Sequence, residues 1–104
     1  MNPRIPVEYH EVAAWLENFV RSHAKREDER IEVRLDAGGP REDRSYGVRL
    51  AIGSRVYPPL AVSPIELEFH EVADGRTRFA WSEALGKRIR ATARETLAGA
   101  SDAR

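Results

Sequence analysis

The stretch YGVRLAIGSRVY, residues 46–57, decides the fold of this chain. Apolar side chains occupy every second position of its first half, which indicates a β-strand with one buried face. Gly53-Ser54 then provides a two-residue hairpin turn of the type that has glycine first. On such a turn Tyr57 faces Leu50, and the prolines at 58–59 end the return strand early, as expected at a sheet edge.

Alternation of the same kind predicts further strands on both sides of this hairpin. Residues 31–36, 65–70 and 77–81 each alternate apolar with polar side chains, the pattern of strands that have one wet face. The last two would pair through the loop 73–75, because only that three-residue loop keeps their apolar side chains on one face. Residues 37–44, with two glycines, a proline and four charges, are predicted to form a loop.

Two amphipathic helices flank the predicted strands. The first runs from about Pro6 to Lys25, where apolar side chains recur at three- and four-residue steps. The last runs from about Glu83 to Ala98, with Ser82 as its N-cap and Gly99 as its C-cap. Short connections between the strands favour an antiparallel, meander-like sheet.

The predicted fold class is α+β, in the element order α-β-β-β-β-β-α. The simplest arrangement is a two-layer sandwich, with an antiparallel sheet of four to five strands and both helices on one sheet face. The other sheet face would then be wet. The 104 residues suit a single domain, 1–104, with one modest core.

The composition excludes several classes of function. The chain has 17 basic and 17 acidic residues, so its formal net charge is zero, which argues against a polybasic nucleic-acid binder. It has no cysteine, which excludes disulfide scaffolds, thiolate zinc sites and cysteine nucleophiles. No apolar run is long enough to span a membrane and no signal peptide is evident. We therefore expect a soluble, cytoplasmic protein that does not engage a membrane.

No pattern in the sequence indicates catalysis, a metal or a cofactor. His10-Glu11 is followed by Ala14 at the position where a helical zinc site would need a second histidine. The loop Gly38-Gly39-Pro40 lacks the Gly-Lys-Ser/Thr ending of a phosphate-binding loop. We therefore expect a protein that is not an enzyme and that has no catalytic residues, metal ligands or cofactor.

The leading hypothesis is a non-catalytic module that binds a protein partner or a second copy of itself. The predicted strand edge at Tyr57, just before the two prolines, offers backbone groups with which another chain can pair. A homodimer through this strand edge is one form of the hypothesis. The identity of any other protein partner does not follow from the sequence.

A second hypothesis is that the last helix contacts RNA or DNA. Four basic residues would face the phosphates of the nucleic acid, and these are Lys87, Arg88, Arg90 and Arg94. Helix, strands and a basic final helix is also the element order of double-stranded-RNA-binding domains. Their final helix starts with a Lys-Lys-x-Ala-Lys-like pattern, whereas this one reads GKRIR over residues 86–90.

A third hypothesis places a small-ligand or catalytic pocket on the wet face of the sheet. Such a pocket needs polar groups that converge in a concave site. Arg49, His70 and Arg78 all fall on that face of the predicted strands. Together with Tyr57 they are the candidate binding residues outside the last helix.

Overall fold

The computed structural model describes residues 7–102 and shows an α+β fold with three helices and an antiparallel four-stranded sheet. The first four elements are α1 (Val7–Glu27), β1 (Glu32–Asp36), a 3₁₀ turn (Gly39–Arg41) and β2 (Ser45–Ile52). They are followed by β3 (Arg55–Tyr57), β4 (Ile65–Glu68), α2 (Phe69–Gly75) and α3 (Phe79–Asp102). Pro6, predicted to lie in the first turn of α1, falls outside the described residues.

Strand β2 is the centre of the sheet. Along one side it pairs with the whole of β1, from Glu32 opposite Ala51 to Asp36 opposite Gly47. Strands β4 and β3 share its other side, one after the other, β4 along residues 45–48 and β3 along residues 50–52. The sheet is therefore only three strand positions wide, and it is not a simple meander.

The hairpin between β2 and β3 confirms the prediction made from the sequence. Leu50 pairs with Tyr57, and Ile52 pairs with Arg55 across the Gly53-Ser54 turn. Gly53 has a φ of +58°, which a turn with glycine first requires and which other residues adopt only with strain. The turn chemistry therefore fixes the register of this part of the sheet.

Three aromatic side chains form the centre of the core. Tyr9 and Tyr46 are fully buried and stacked, with ring centroids 4.8 Å apart, and Phe69 meets Tyr9 edge-on at 5.5 Å. The Tyr46 hydroxyl donates to the Tyr9 carbonyl at 2.8 Å. This cluster ties the start of α1 to the central strand and to α2.

The Tyr9 hydroxyl joins α1 to the segment between β1 and β2. It lies 2.7 Å from the Ser45 carbonyl and 3.0 Å from the carbonyls of Ala37 and Arg41. Burial raises the pKa of Tyr9 above its usual 10.0, so this hydroxyl remains a donor at neutral pH. The predicted loop 37–44 is thus held at both ends and contains the 3₁₀ turn.

The predicted strand at 77–81 and its hairpin through Ala73-Asp74-Gly75 are wrong, because this region is helical. Phe69 and Val72, three residues apart, are both buried, as one face of a helix requires. Phe79, which the strand interpretation placed in the core, is 79% exposed. The alternation of apolar residues at 65–69 therefore ends with β4.

The predicted caps of the last helix are also wrong. Helix α3 begins at Phe79 and ends at Asp102, so Ser82 and Gly99 both lie inside it. The Ser82 amide donates to the Arg78 carbonyl at 3.0 Å, which is a bond within the first helical turn rather than a cap. A serine that precedes an apolar run therefore does not by itself mark the first residue of this helix.

Candidate functional site

The hydrogen bonds at the start of β2 show which of its peptide groups face which neighbour. The Phe69 amide donates to the Arg44 carbonyl at 2.8 Å, so even-numbered residues in this strand direct their peptide groups toward β4. Peptide groups alternate along an antiparallel strand, so the odd-numbered residues of β2 face β1. The register of β1 then gives these bonds to Glu32, Arg34 and Asp36.

The outward edge of β1 follows from the same alternation. The peptide groups of Val33 and Leu35 point away from β2. No backbone hydrogen bond to either residue occurs within residues 7–102. The strand is five residues long and contains no proline. It is therefore an unpaired edge that an added strand can use.

The opposite sheet edge is divided between two short strands, β3 and β4. In β3 the residues bonded to β2 are Arg55 and Tyr57, so only Val56 directs its peptide groups outward. Prolines at 58, 59 and 64 surround the gap between β3 and β4, and proline has no amide hydrogen to donate. Tyr57 lies at an edge, as predicted, but β3 provides a single residue for pairing there. In β4 the same alternation directs Glu66 and Glu68 outward, and the carbonyl of Glu68, the N-cap of α2, belongs to that helix.

An ion-pair network covers part of the outer sheet face, which we define as the face that carries Arg34, Gly47, Arg49 and Glu66. The Arg41 guanidinium bonds both carboxylate oxygens of Glu66, at 2.5 and 2.8 Å, and contacts Asp36 at 3.2 Å. A side chain at Gly47 would lie 2.9 Å from this guanidinium. Glycine at this position therefore lets Arg41 lie flat on the sheet.

This network gives a testable pH dependence. The hydrogen bond from Arg41 lowers the pKa of Glu66 below its usual 4.5, so the contribution of the pair is present above that pH and disappears as the pH falls through the lowered value. Glu66 is 52% exposed, so we expect Glu66→Gln to lower the free energy of unfolding by only about 0.5–1 kcal/mol at pH 7. Urea unfolding at pH 7 and pH 3 measures this.

The matched control is Glu68→Gln on the same strand. Glu68 is exposed and has no ion pair in the described part of the chain. We expect Glu68→Gln to be neutral at both pH values. Equal losses for the two variants at pH 7 would contradict the role of the Arg41–Glu66 pair.

A shallow groove lies beside this network on the outer face. Arg34 and Arg49 are directly opposite each other across the strands, and Arg49 donates to the carbonyls of Pro58 and Pro59 at 2.8 Å. Leu60, 76% exposed, forms part of the wall. The groove measures about 260 Å³, below the roughly 300–1,000 Å³ of typical ligand pockets.

The three residues predicted to form a pocket do not come together on the sheet. Arg49 lies on the outer face of β2, but His70 lies in the first turn of α2. Arg78 lies in the connection between α2 and α3 and pairs with Asp74 at 3.0 Å. The cause is the helical structure of residues 69–75, which removes His70 and Arg78 from the sheet.

Three of the four basic residues of α3, Lys87, Arg90 and Arg94, recur at three- and four-residue steps and share one side of the helix, whereas Arg88 lies off that side. Arg88 and Arg90 line different grooves, because residues two apart point to nearly opposite sides of a helix. Arg94 contacts Glu27 of α1 at 3.2 Å, and Lys87 is exposed. Nucleic-acid binding by this helix stays a prediction.

His23 lies between α1 and α3. Its ring packs against Phe19 at 4.5 Å, and its Nδ1 is buried with no partner among the described residues. Burial, together with Arg26 and Arg90, lowers the pKa of His23, so the ring is neutral at pH 7. A side chain at Gly86 would lie 2.6 Å from this ring, which identifies a close approach of the two helices.

The sequence interpretation missed the residues that organise these surfaces. Gly47 and Glu66 were assigned only to strand faces, and the edge of β1 was not considered for pairing. The available signal was the order of the strands. In the tight β2–β3 hairpin, β3 occupies one side of β2, so β1 pairs with the other side of β2 and its own far edge stays free. Within residues 7–102 no group of three histidine, aspartate or glutamate side chains is placed to hold a metal ion.

No helix in the described part of the chain is both long and apolar enough to cross a membrane. The chain matches no protein-family model, and neither the curated proteins nor the solved structures contain a match to it.

Proposed function

We propose that this protein is a non-catalytic interaction module that binds a protein partner by strand addition at the edge of β1. In this arrangement the sheet and the helices form a two-layer sandwich, and the partner strand extends the sheet beside β1. The observation that carries the proposal is the pair of outward peptide groups at Val33 and Leu35, which have no backbone partner within residues 7–102.

The chemistry of the edge supports strand addition. Each outward residue provides one donor and one acceptor, and main-chain hydrogen bonds supply much of the affinity in this mode of recognition. Val33 and Leu35 are half-buried, so an added strand would also cover apolar surface at the margin of the core. The side chains that alternate with them, Glu32, Arg34 and Asp36, are exposed and charged, which would give selectivity for the partner.

The test uses a proline that removes only the outward amide. In Val33→Pro the ladder to β2 is retained, because that ladder uses residues 32, 34 and 36, and proline is tolerated on an edge strand. The matched control, Val33→Ala, keeps the amide and shortens the same side chain.

We expect protein captured by the wild-type chain, including a differently tagged copy of the chain itself, to be retained by Val33→Ala. Val33→Pro should lower that capture at least about tenfold, the effect of losing one or two hydrogen bonds at an interface. Circular dichroism checks that both variants are folded. Equal capture by Val33→Pro and the wild type would show that the β1 edge is not the binding surface.

A further inference from the structure

We infer that the partner of the β1 edge is a second copy of this chain, added antiparallel and centred on Val33. This inference rests on the proposed function and names its partner. The argument is that the register centred on Val33 satisfies the hydrogen-bonding alternation and gives both central charges of the outer face, Glu32 and Arg34, a partner of opposite sign.

The alternation first restricts the registers. Outward peptide groups belong to the odd-numbered residues of β1, so odd residues of one copy must lie opposite odd residues of the other. In the register centred on Val33, the two Val33 residues exchange two hydrogen bonds. The Leu35 amide of each copy also donates to the Ile31 carbonyl of the other. The Ile31 amide is already bonded to the Asp28 carbonyl at 3.1 Å, so four bonds form in total.

Charge then selects among the remaining registers. Centred on Val33, Glu32 of each copy lies opposite Arg34 of the other, and Arg30 lies opposite Asp36. Both pairs formed within β1 are then of opposite charge, and directly opposed charges of this kind are stabilising. Arg30 belongs to the turn before β1, so its pair with Asp36 forms where the added strand continues past β1.

Neighbouring registers lack this complementarity. In the register centred on Arg34, the two Arg34 side chains face each other, and Glu32 of each copy faces Asp36 of the other. Centred on Glu32, the two Glu32 side chains face each other and Arg34 faces Arg30. Like charges directly opposite are destabilising, so the sequence of the strand disfavours both arrangements. Centred on Leu35, Arg34 faces Asp36, but Glu32 faces Gly38 and is left without a cation.

The single chain also leaves the central charges without partners. Glu32 and Arg34 are exposed and form no ion pair within the described residues, whereas Arg30 and Asp36 already contact Asp28 and Arg41. Arg34 faces only Arg49 across the sheet, an unfavourable neighbour. In the dimer Glu32 of the other copy lies at the closer, non-hydrogen-bonded distance of about 4.5 Å between Cα atoms.

The inner face is complementary as well. Val33 meets Val33, and Leu35 lies opposite Ile31, which is already fully buried in the single chain. The half-buried side chains of Val33 and Leu35 therefore adjoin the new seam. The two sheets would join into one sheet six strand positions wide, with β1 no longer at an edge. Removal of an exposed edge is a common solution for such strands.

The test is a charge exchange measured by sedimentation velocity over a concentration series at low salt. Wild type should sediment as a dimer of the 11.8 kDa chain. Glu32→Arg and Arg34→Glu each convert two attractive pairs into repulsive ones, so each should weaken the dimer roughly 100-fold. The double variant E32R/R34E restores every opposite-charge pair and should dimerise like wild type.

Mixing the two single variants gives the sharpest result. In E32R both central positions of the strand carry arginine, and in R34E both carry glutamate. Each arginine of one chain then faces a glutamate of the other, so two chains that are monomeric alone should form a heterodimer. The control is Glu95→Arg on the exposed side of α3, far from β1 in sequence and without an ion pair in the described part of the chain. It should leave the dimer unchanged.

A cysteine crosslink fixes the register independently of charge, because the chain has no cysteine of its own. Val33→Cys should form a disulfide-linked dimer under mild oxidation, since Cα atoms of a hydrogen-bonded pair lie about 5.5 Å apart. Leu35→Cys is the matched control. Its two copies would lie four residues apart along the strands, about 13 Å, and should not crosslink.

The outcomes separate this inference from the proposed function. A monomeric wild type whose capture of other proteins is still lost in Val33→Pro would overturn the homodimer and leave strand addition intact. A monomer without such capture would overturn both. A dimer insensitive to the charge variants and to Val33→Pro would place the interface elsewhere and also overturn both.

Discussion

Replacing Tyr46 with alanine is expected to lower the free energy of unfolding by about 4 kcal/mol. Tyr46 is fully buried at the centre of the sheet and stacked on Tyr9, and it meets Phe69 edge-on at 6.4 Å. Its removal would leave a cavity among side chains that α1, β2 and α2 hold in place. It would also leave the Tyr9 carbonyl without its 2.8 Å hydrogen bond.

This loss is large relative to the total stability of a domain of this size. Typical free energies of unfolding are about 5–15 kcal/mol, so Tyr46→Ala would unfold a sizeable fraction of the molecules under mild denaturing conditions. Urea unfolding, followed by circular dichroism and by the fluorescence of Trp15 and Trp81, measures the change. A loss below about 1.5 kcal/mol would show that the core collapses around the missing ring.

The matched variant Tyr46→Phe separates the ring from the hydroxyl. It keeps the stacking on Tyr9 and removes only the donor, and the Tyr9 carbonyl keeps its helical hydrogen bond within α1. We therefore expect a loss of about 0.5–1.5 kcal/mol, the net contribution of a typical intramolecular hydrogen bond. Burial raises the pKa of Tyr46 well above its usual 10.0. The hydroxyl is therefore protonated up to strongly alkaline pH. The difference in free energy of unfolding between the wild type and Tyr46→Phe should be constant from pH 6 to 9.

The parts of the fold that could be predicted from the sequence are those fixed by local chemistry. The Gly53-Ser54 turn sets its own register, because a two-residue loop with glycine first has one way to close. Alternation at 31–36 and 46–52 identified the two strands that pair over their full common length. In each case the deciding interaction lies within a few residues along the chain.

The error at 69–81 has a definite physical origin. Phe69 satisfies the strand period set by Ile65 and Leu67, but it also begins the helical spacing completed by Val72. Two residues cannot distinguish period two from period 3.6. Tertiary packing decides the question, since Phe69 is needed against Tyr9 and Tyr46, and the helix places it there.

The candidate surfaces could not be predicted because they depend on which strands are neighbours. Sequence placed Arg34 and Arg49 on the same wet face, but not directly opposite each other. The two residues become partners only because β1 pairs with β2 in one register. The value of β1 as a free edge likewise depends on the position of β3 and β4 on the far side of β2.

Gly75→Ala is expected to destabilise the protein by about 1–2 kcal/mol, although the same change usually favours a helix. Gly75 is buried at the end of α2, and a methyl group there would lie 2.6 Å from Cγ and Cε2 of Trp81. The indole is restrained, since its Nε1 donates to Glu71 at 3.3 Å. Overpacking of about 1–3 kcal/mol exceeds the gain of at most about 1 kcal/mol in helix propensity.

A double-mutant cycle with Trp81→Ala shows whether that overlap is the cause. Without the indole the new methyl group has free space, and only the propensity gain remains, so Gly75→Ala should stabilise the Trp81→Ala background by about 0.4–1 kcal/mol. The sign of the effect therefore reverses between the two backgrounds, and the coupling energy is about 2 kcal/mol, within the range for residues in contact. The same destabilisation in both backgrounds would mean that Gly75 is required by the backbone of α2 and not by its contact with Trp81. That result would separate a steric from a conformational requirement at the junction between α2 and α3.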